Sequence, residues 1–299
     1  MKMDTLDWVM LITLATVWGG SFLFNAVLVL ELPVLTIVAI RVTLAALALW
    51  VFVRVTGRIV PRSASVWGAL LVLGVLNNAI PFSLIVQGQT QISSGLASIL
   101  NATTPLFTIL VAGFLLLDER FSVMRIMGVV VGFAGVIVMI GPDALQGLGA
   151  NFWAQMCALG AAVSYGFASV YGRRFRELKV DPVMVATGQV TMSSLVLWPI
   201  ALWIDGPQNL TMISWNAGLS MFGLAVLCTS FAYILYFRIL ERAGATNISL
   251  VTFLVPISAI ILGILVLDEQ IFMKEIIGMA LIGLGLAIID GRVFSRLRD

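Results

Sequence analysis

The chain reads as an all-α integral membrane protein: ten transmembrane helices in two inverted five-helix repeats around a central cavity. Three observations predict this. Of 299 residues, 61% are hydrophobic and 11% charged, whereas a soluble domain carries about 25% charged residues. Residues 41–50, RVTLAALALW, return as 189–198, QVTMSSLVLW, keeping Val42/Val190, Thr43/Thr191, Leu47/Leu195, Leu49/Leu197 and Trp50/Trp198. Ser98, Pro105, Asp118-Glu119 and Gly128 likewise recur as Ser249, Pro256, Asp268-Glu269 and Gly278. Third, basic residues alternate between loops in the way that orients membrane helices. An internal duplication in a membrane chain places a binding site where the halves meet.

A hydrocarbon layer of about 30 Å needs about 20 apolar residues per helix. The spans read in order are 8–30, 34–53, 66–87, 92–117, 125–141, 152–172, 183–204, 216–237, 245–267 and 274–290. The units are 1–147 and 148–299. Met1–Asp7 holds one Lys and two Asp before a long apolar stretch, a poor signal peptide, so the first span is kept as a helix.

The first span puts Trp18, Ser21 and Asn25 on one face, and the sixth places Tyr165, Ala168 and Gly172 there. The second span holds Arg41, the one strong charge inside a span, roughly 10–12 Å from its outer end at about 1.5 Å per residue. An intramembrane arginine costs about 2.5–3.5 kcal/mol on insertion scales and is a functional candidate by default. It reads as a charge at the outer mouth for a substrate carboxylate, or as a structural group paired with backbone carbonyls or Glu31. The third span carries Asn77, Asn78, Pro81, Phe82 and Gln87, matched in the eighth by Cys228, Thr229, Ala232, Tyr233 and Arg238. The fourth span has Ser94, Ser98, Asn101, Pro105 and Thr108 on one face, repeated in the ninth as Ala245, Ser249, Thr252, Pro256 and Ala259. Each proline frees a backbone carbonyl and favours a bend. Polar faces in lipid point inward. The glycines of the fifth and tenth spans, Gly128, Gly132 and Gly135 with Gly278, Gly283 and Gly285, read as close helix packing. Trp50 and Trp198, near span ends, read as interfacial belt residues.

With the N-terminus inside, cytoplasmic loops collect 15 of the 17 basic residues and the opposite loops only Lys274. Both termini are therefore expected in the cytoplasm, and five spans per half make the second half enter upside down. No Asp or Glu lies deep in a span, so the acids are expected to be solvated and ionised and no proton-switching carboxylate is available. The chain has no His, and its two Cys lie in apolar spans, so neither a metal, a haem nor another cofactor is expected. An enzyme would need a nucleophile–base pair that these spans do not supply. A net charge of +2 gives no reason to invoke nucleic acid.

Trp18-Gly19, Arg41, Pro105 with Asp118-Glu119-Arg120, and Pro256 with Asp268-Glu269 together resemble the EamA group of the drug/metabolite transporter superfamily over nearly the whole chain, most nearly its bacterial amino-acid exporters of the YddG type. The resemblance implies two inverted repeats around a cavity lined by the third, fourth, eighth and ninth helices, with the first and sixth contributing. Two departures are Gln270 where the first repeat has Arg120, and Gln189 where it has Arg41. The expected activity is export of neutral or aromatic amino acids and related metabolites across the bacterial inner membrane by alternating access, down the gradient. Carriage of a nucleobase, sugar derivative or lipophilic amine, or a channel, is the alternative. The substrate-binding residues are Trp18, Ser21, Asn78, Phe82, Ser98, Asn101, Tyr165, Thr229, Tyr233, Ser249 and Thr252, with Arg41 at the outer mouth and Pro105 and Pro256 as hinges. The partners are a small-molecule substrate and the lipid bilayer, with the oligomeric state left open.

Overall fold

The computed structural model describes residues 3–116, 122–141 and 150–290, except for the side chains of residues 150, 245, 246 and 290. Among the described residues all regular structure is helical. Helix α1 (Thr5–Leu28) starts at a capping box, in which Asp4 accepts from the Asp7 amide and Asp7 from the Asp4 amide. Helix α2 (Val34–Val55) follows. Helix α3 (Ala64–Gly74) runs through a π-helical segment, Val75–Ala79, into α4 (Ile80–Gln89). The next stretch is broken into α5 (Ser94–Asn101) and α6 (Thr104–Leu115), with Pro105 in the first turn after the break. Helices α7 (Val123–Ile140), α8 (Ala150–Gly172) and the short α9 (Arg174–Glu177) lead to α10 (Pro182–Ile204), capped by Asp181 on the Val183 and Met184 amides. Helix α11 (Trp215–Phe222) passes through a second π-helical segment, Gly223–Phe231, into α12 (Ala232–Ala243). Helices α13 (Ala245–Ile248), α14 (Val251–Leu267) and α15 (Met273–Asp290) follow.

Among the described residues, seven helical stretches are long and apolar enough to cross a membrane, and Val251–Leu267 is a shorter apolar helix. The protein is thus a multi-pass membrane protein. Its main contacts are α7 on α15, α2 on α10, α1 on α14, and α8 on α4 and α6.

Lipid tails are as apolar as leucine, so these helices associate through close packing and hydrogen bonds. The glycines act in this way. A Cβ on Gly128 would lie 2.5 Å from the Gly285 carbonyl oxygen, and one on Gly135 2.7 Å from that of Gly278. Gly132 faces Leu106, whereas Gly283 has nothing within 4 Å and takes no part in the packing. The expected belt role of Trp50 and Trp198 is not what the structure shows. Trp50 Nε1 donates to Thr191 Oγ1 at 3.1 Å, and Trp198 Nε1 to Thr43 Oγ1 at 2.8 Å. The repeated V-T-x3-L-x-L-W motif joins α2 to α10 by a reciprocal pair of bonds, which needs both Thr and Trp in both copies.

The bundle ends are tied by carboxylates. At the end holding the N-terminus, Arg242 meets Asp4 and Asp7 at 3.0 and 2.9 Å, and Arg58 meets Asp181. At the opposite end, Glu31 accepts from the Ser214 amide and hydroxyl at 2.8 and 2.5 Å, and Asp205 from the Thr36 amide and hydroxyl at 2.7 and 2.9 Å. Glu31 and Asp205 are therefore hydrogen-bonded groups, and Glu31 stays exposed as a solvated carboxylate does, whereas Asp7 is only 5% exposed. The Ser214 hydroxyl and amide hold the Glu31 carboxyl below its ordinary range. A depressed carboxylate contributes stability above its unfolded pKa and loses it as pH falls through the folded value, so this tie is unchanged between pH 6 and 8.

Candidate functional site

The two π-helical segments are repeat equivalents: shifting 75–79 by 151 residues gives 226–230, inside Gly223–Phe231. A π register leaves backbone and side chains out of step with the flanking α-helix and is common at functional sites. The first segment carries Asn77 and Asn78, the second Cys228, Thr229 and Ser230. Thr229 Oγ1 donates to the Leu224 carbonyl and Ser230 Oγ to that of Ala225, each five residues back.

Arg41 reaches the second of these segments. Its Nε donates to Thr229 Oγ1 at 3.0 Å, and its guanidinium carbon stands 3.7 Å from the centre of the Phe82 ring. A cation over a desolvated aromatic face is stabilised by about 2 kcal/mol. The residue is 5% exposed, and Tyr165, Tyr233 and Cys228 lie within reach of its charge. The alternative pairing with Glu31 does not form, because Glu31 is engaged by Ser214. Arg41 therefore belongs to the interior cluster rather than to an exposed outer mouth.

On the other side of this cluster a hydrogen-bonded chain crosses between the halves. Tyr233 donates to Asn78 Oδ1 at 2.8 Å and accepts from Asn77 Nδ2 at 3.2 Å. Asn77 also donates to Gln189 Oε1 at 3.0 Å, and Asn78 to Ser193 Oγ at 3.4 Å. Ser193 in turn donates to the Gly74 carbonyl at 2.9 Å, where a Cβ on Gly74 would meet the Gln189 carbonyl. Gln189 is the repeat partner of Arg41 and Thr229 that of Asn78. Both sides of the site thus link a residue on α2 or α10 to a π-segment of the opposite half.

Of the predicted residues, Arg41, Asn78, Phe82, Thr229 and Tyr233 are joined by these contacts, with Tyr165 beside them. Trp18 lies against Tyr236, ring centres 5.7 Å apart, and Ser21 donates to the Trp18 carbonyl. Ser98 is 1% exposed and donates to the Gly95 carbonyl. Asn101 ends α5 with its Oδ1 buried and unpartnered. In the equivalent stripe Ser249, just before α14, is exposed, Thr252 donates to the Ser249 carbonyl at 2.7 Å, and Pro256 and Ala259 are buried. Pro105 borders a break, but Pro256 lies inside the continuous α14, whose break at residues 249–250 comes earlier. The bend expected at Pro256 is displaced there. Asn77, Gln189 and Ser193 join the site beyond the predicted residues; Asn77 adjoins Asn78, Gln189 is the repeat partner of Arg41, and Ser193 lies one turn after Gln189.

A second network ties helices together at the end opposite the N-terminus. Both oxygens of Glu269 accept backbone amides at the start of α5, Ser94 at 2.7 Å and Gly95 at 3.2 Å. Ser94 Oγ and Gln89 Nε2 both donate to the Phe22 carbonyl, at 3.2 and 2.8 Å, and Asn25 donates to Gln89 Oε1 at 3.0 Å. One network therefore joins α1, α4, α5 and the loop after α14. Asp118, Glu119 and Arg120, the first-repeat equivalents, lie outside the described residues. Among the described residues, no group of three or more His, Cys, Asp or Glu side chains gathers as a metal site.

The model of the EamA-like transporter family matches residues 7–141 and again 152–290. The chain is 23% identical over 287 residues to the uncharacterized transporter YoaV of Bacillus subtilis, covering 96% of this chain and 97% of that one. It is 27% identical over 261 residues to the uncharacterized inner membrane transporter YedA of Escherichia coli K12, covering 85% and 80%. It is also 26% identical over 283 residues to the chloroplastic WAT1-related protein At3g02690 of Arabidopsis thaliana, covering 92% and 67%. One solved crystal structure shares the fold, with a TM-score of 0.68 at 18% identity, covering 99% of this chain and 100% of that one.

Proposed function

The chain belongs to the EamA-like transporter family, and from that premise we propose that it exports small carboxylate-bearing metabolites, amino acids with apolar or aromatic side chains among them, by alternating access. The single observation that carries this reading is the interior cluster of Arg41, Phe82, Tyr165 and Tyr233, with amide and hydroxyl groups around it. Rings offer apolar area while a few placed polar groups fix orientation, the make-up of a small-molecule site. The relatives named as transporters make a non-enzyme the natural reading. In kind of substrate the site fits the bacterial amino-acid exporters of the YddG type.

The architecture behind it is ten spans, with α8 and α15 crossing the membrane as well, in units 1–147 and 148–299 inverted about a two-fold axis. Three features support this. The family model matches twice. The Trp–Thr bonds between α2 and α10 are reciprocal. Gly128 meets Gly285 while Gly135 meets Gly278, and Gly278 and Gly285 are the repeat equivalents of Gly128 and Gly135. The sealed Ser98 and exposed Ser249 fit a carrier closed at one end and open at the other.

The membrane is the bacterial inner membrane, with both termini cytoplasmic, a reading the 15-to-1 basic distribution supports. Reporter fusions after Gly147 and Asp299 are expected to report opposite sides, Asp299 inside. Matching signals would refute the ten-span arrangement.

Export is facilitated, since among the described residues the interior cluster contains no carboxylate to exchange a proton. Purified protein in liposomes should catalyse counterflow of phenylalanine or leucine equally at pH 6 and pH 8 with no pH gradient. Flux that appears only with an imposed proton gradient would overturn this mechanism, and absence of counterflow for every amino acid would overturn the substrate reading.

A further inference from the structure

We propose that the interior site recognises its substrate through the anionic group alone, so that small amphipathic carboxylates lacking an amine are bound at least as well as amino acids, and amines are not. This rests on the transport reading above and narrows its substrate class.

Arg41 spends Nε on Thr229 and lays its plane on Phe82. Its two Nη groups have no hydrogen-bond partner among the described residues. No described carboxylate pairs with it: the acids that make ion pairs sit at the helix ends, on Arg58 and Arg242. An intramembrane arginine without a counter-ion is expensive, and a bound anion removes that cost through charge-assisted hydrogen bonds to the guanidinium.

Gln189 and Tyr165 extend the pattern. Gln189 Oε1 is taken by Asn77, leaving Nε2 without a partner, and the Tyr165 hydroxyl has none either. The acceptors Asn78 Oδ1 and Thr229 Oγ1 already accept from Tyr233 and Arg41. Asn77 Oδ1 is left open, but it is a neutral amide. A carboxylate thus finds a cation and further donors. An ammonium group finds the Arg41 charge and, among the described residues, neutral acceptors only, so the loss of its hydration is poorly compensated. Because Gln189 replaces arginine at the equivalent place, the site is basic at one pole only, which orients the anion toward α2.

Three molecules with one phenylethyl frame separate the terms: 3-phenylpropanoate, phenylalanine and phenethylamine. Binding to the purified full chain is read as ligand-dependent thermal stabilisation. We expect 3-phenylpropanoate to half-saturate at or below the phenylalanine concentration, and phenethylamine to need at least about tenfold more. Arg41→Gln, the residue its repeat partner already carries, should weaken both acids about 10–100-fold, the range for a lost charged hydrogen bond, and Arg41→Lys should restore part of it. Amine binding as tight as acid binding, no binding of either acid, or acid binding unmoved in Arg41→Gln would overturn the proposal. Equal binding of amine and acid leaves phenylalanine counterflow standing, whereas loss of counterflow beside Arg41-dependent acid binding refutes transport alone.

Discussion

Gly135→Ala should destabilise the protein by about 2 kcal/mol, within the range for an overpacked interior, although alanine is the better helix former. The new Cβ would lie 2.7 Å from the Gly278 carbonyl oxygen, 2.9 Å from Leu281 Cβ and 3.0 Å from the Ile282 amide nitrogen. Two of these three are backbone atoms, so no side chain can swing aside to make room, and α7 and α15 must separate. In lipid that loss is not recovered, because close packing is what joins the helices. Gly283→Ala is the control, since nothing lies within 4 Å of its Cβ position. It should be neutral or gain up to about 1 kcal/mol from helix propensity. Thermal unfolding of the two variants in detergent decides the matter, and equal stabilities would show that α7 and α15 do not pack as described.

Glu269→Gln should open the end of the bundle that Glu269 now holds shut. Both carboxylate oxygens accept amides at the start of α5, where unsatisfied N–H groups and the helix dipole favour a negative charge. Glutamine keeps the size but removes the charge and offers one acceptor oxygen. Hydrogen bonds to charged groups are stronger than neutral ones by roughly 1 kcal/mol each, and two are affected. The population with this end open should rise about tenfold or more. Ser98, one turn inside α5 and sealed in the closed form, is the reporter. With Cys157 and Cys228 replaced by alanine, Ser98→Cys should react with an impermeant thiol reagent about tenfold faster when Glu269→Gln is added. An unchanged rate would mean that Glu269 caps a helix and controls nothing.

How far the sequence reaches can be judged residue by residue. Arg41, Asn78, Phe82, Thr229 and Tyr233 were legible because polar groups in an apolar span must turn inward and because the repeat shows each position twice. The glycine stripe was legible for the same reason. Ser98, Asn101, Ser249 and Thr252 shared a face, but which of them is sealed depends on which end of the bundle is closed. A sequence of two similar halves contains no preference between ends.

Composition, span length and repetition are properties of the chain alone. From them the sequence by itself determined a helical membrane protein, its duplicated plan and the inward-facing residues. Partnership is a property of two segments at once, and only the tertiary structure decided it. Arg41 meets Thr229 and not Glu31, and Trp50 and Trp198 bridge α2 and α10 instead of lying in a belt. Glu269 is spent on the amides of α5, and two π-segments turn Asn77 and Thr229 into one cluster. The physical reason is common to all four. A hydrogen bond or ion pair is set by atoms within about 3 Å, and in a bundle those atoms come from helices whose distance along the chain says nothing about their distance in space.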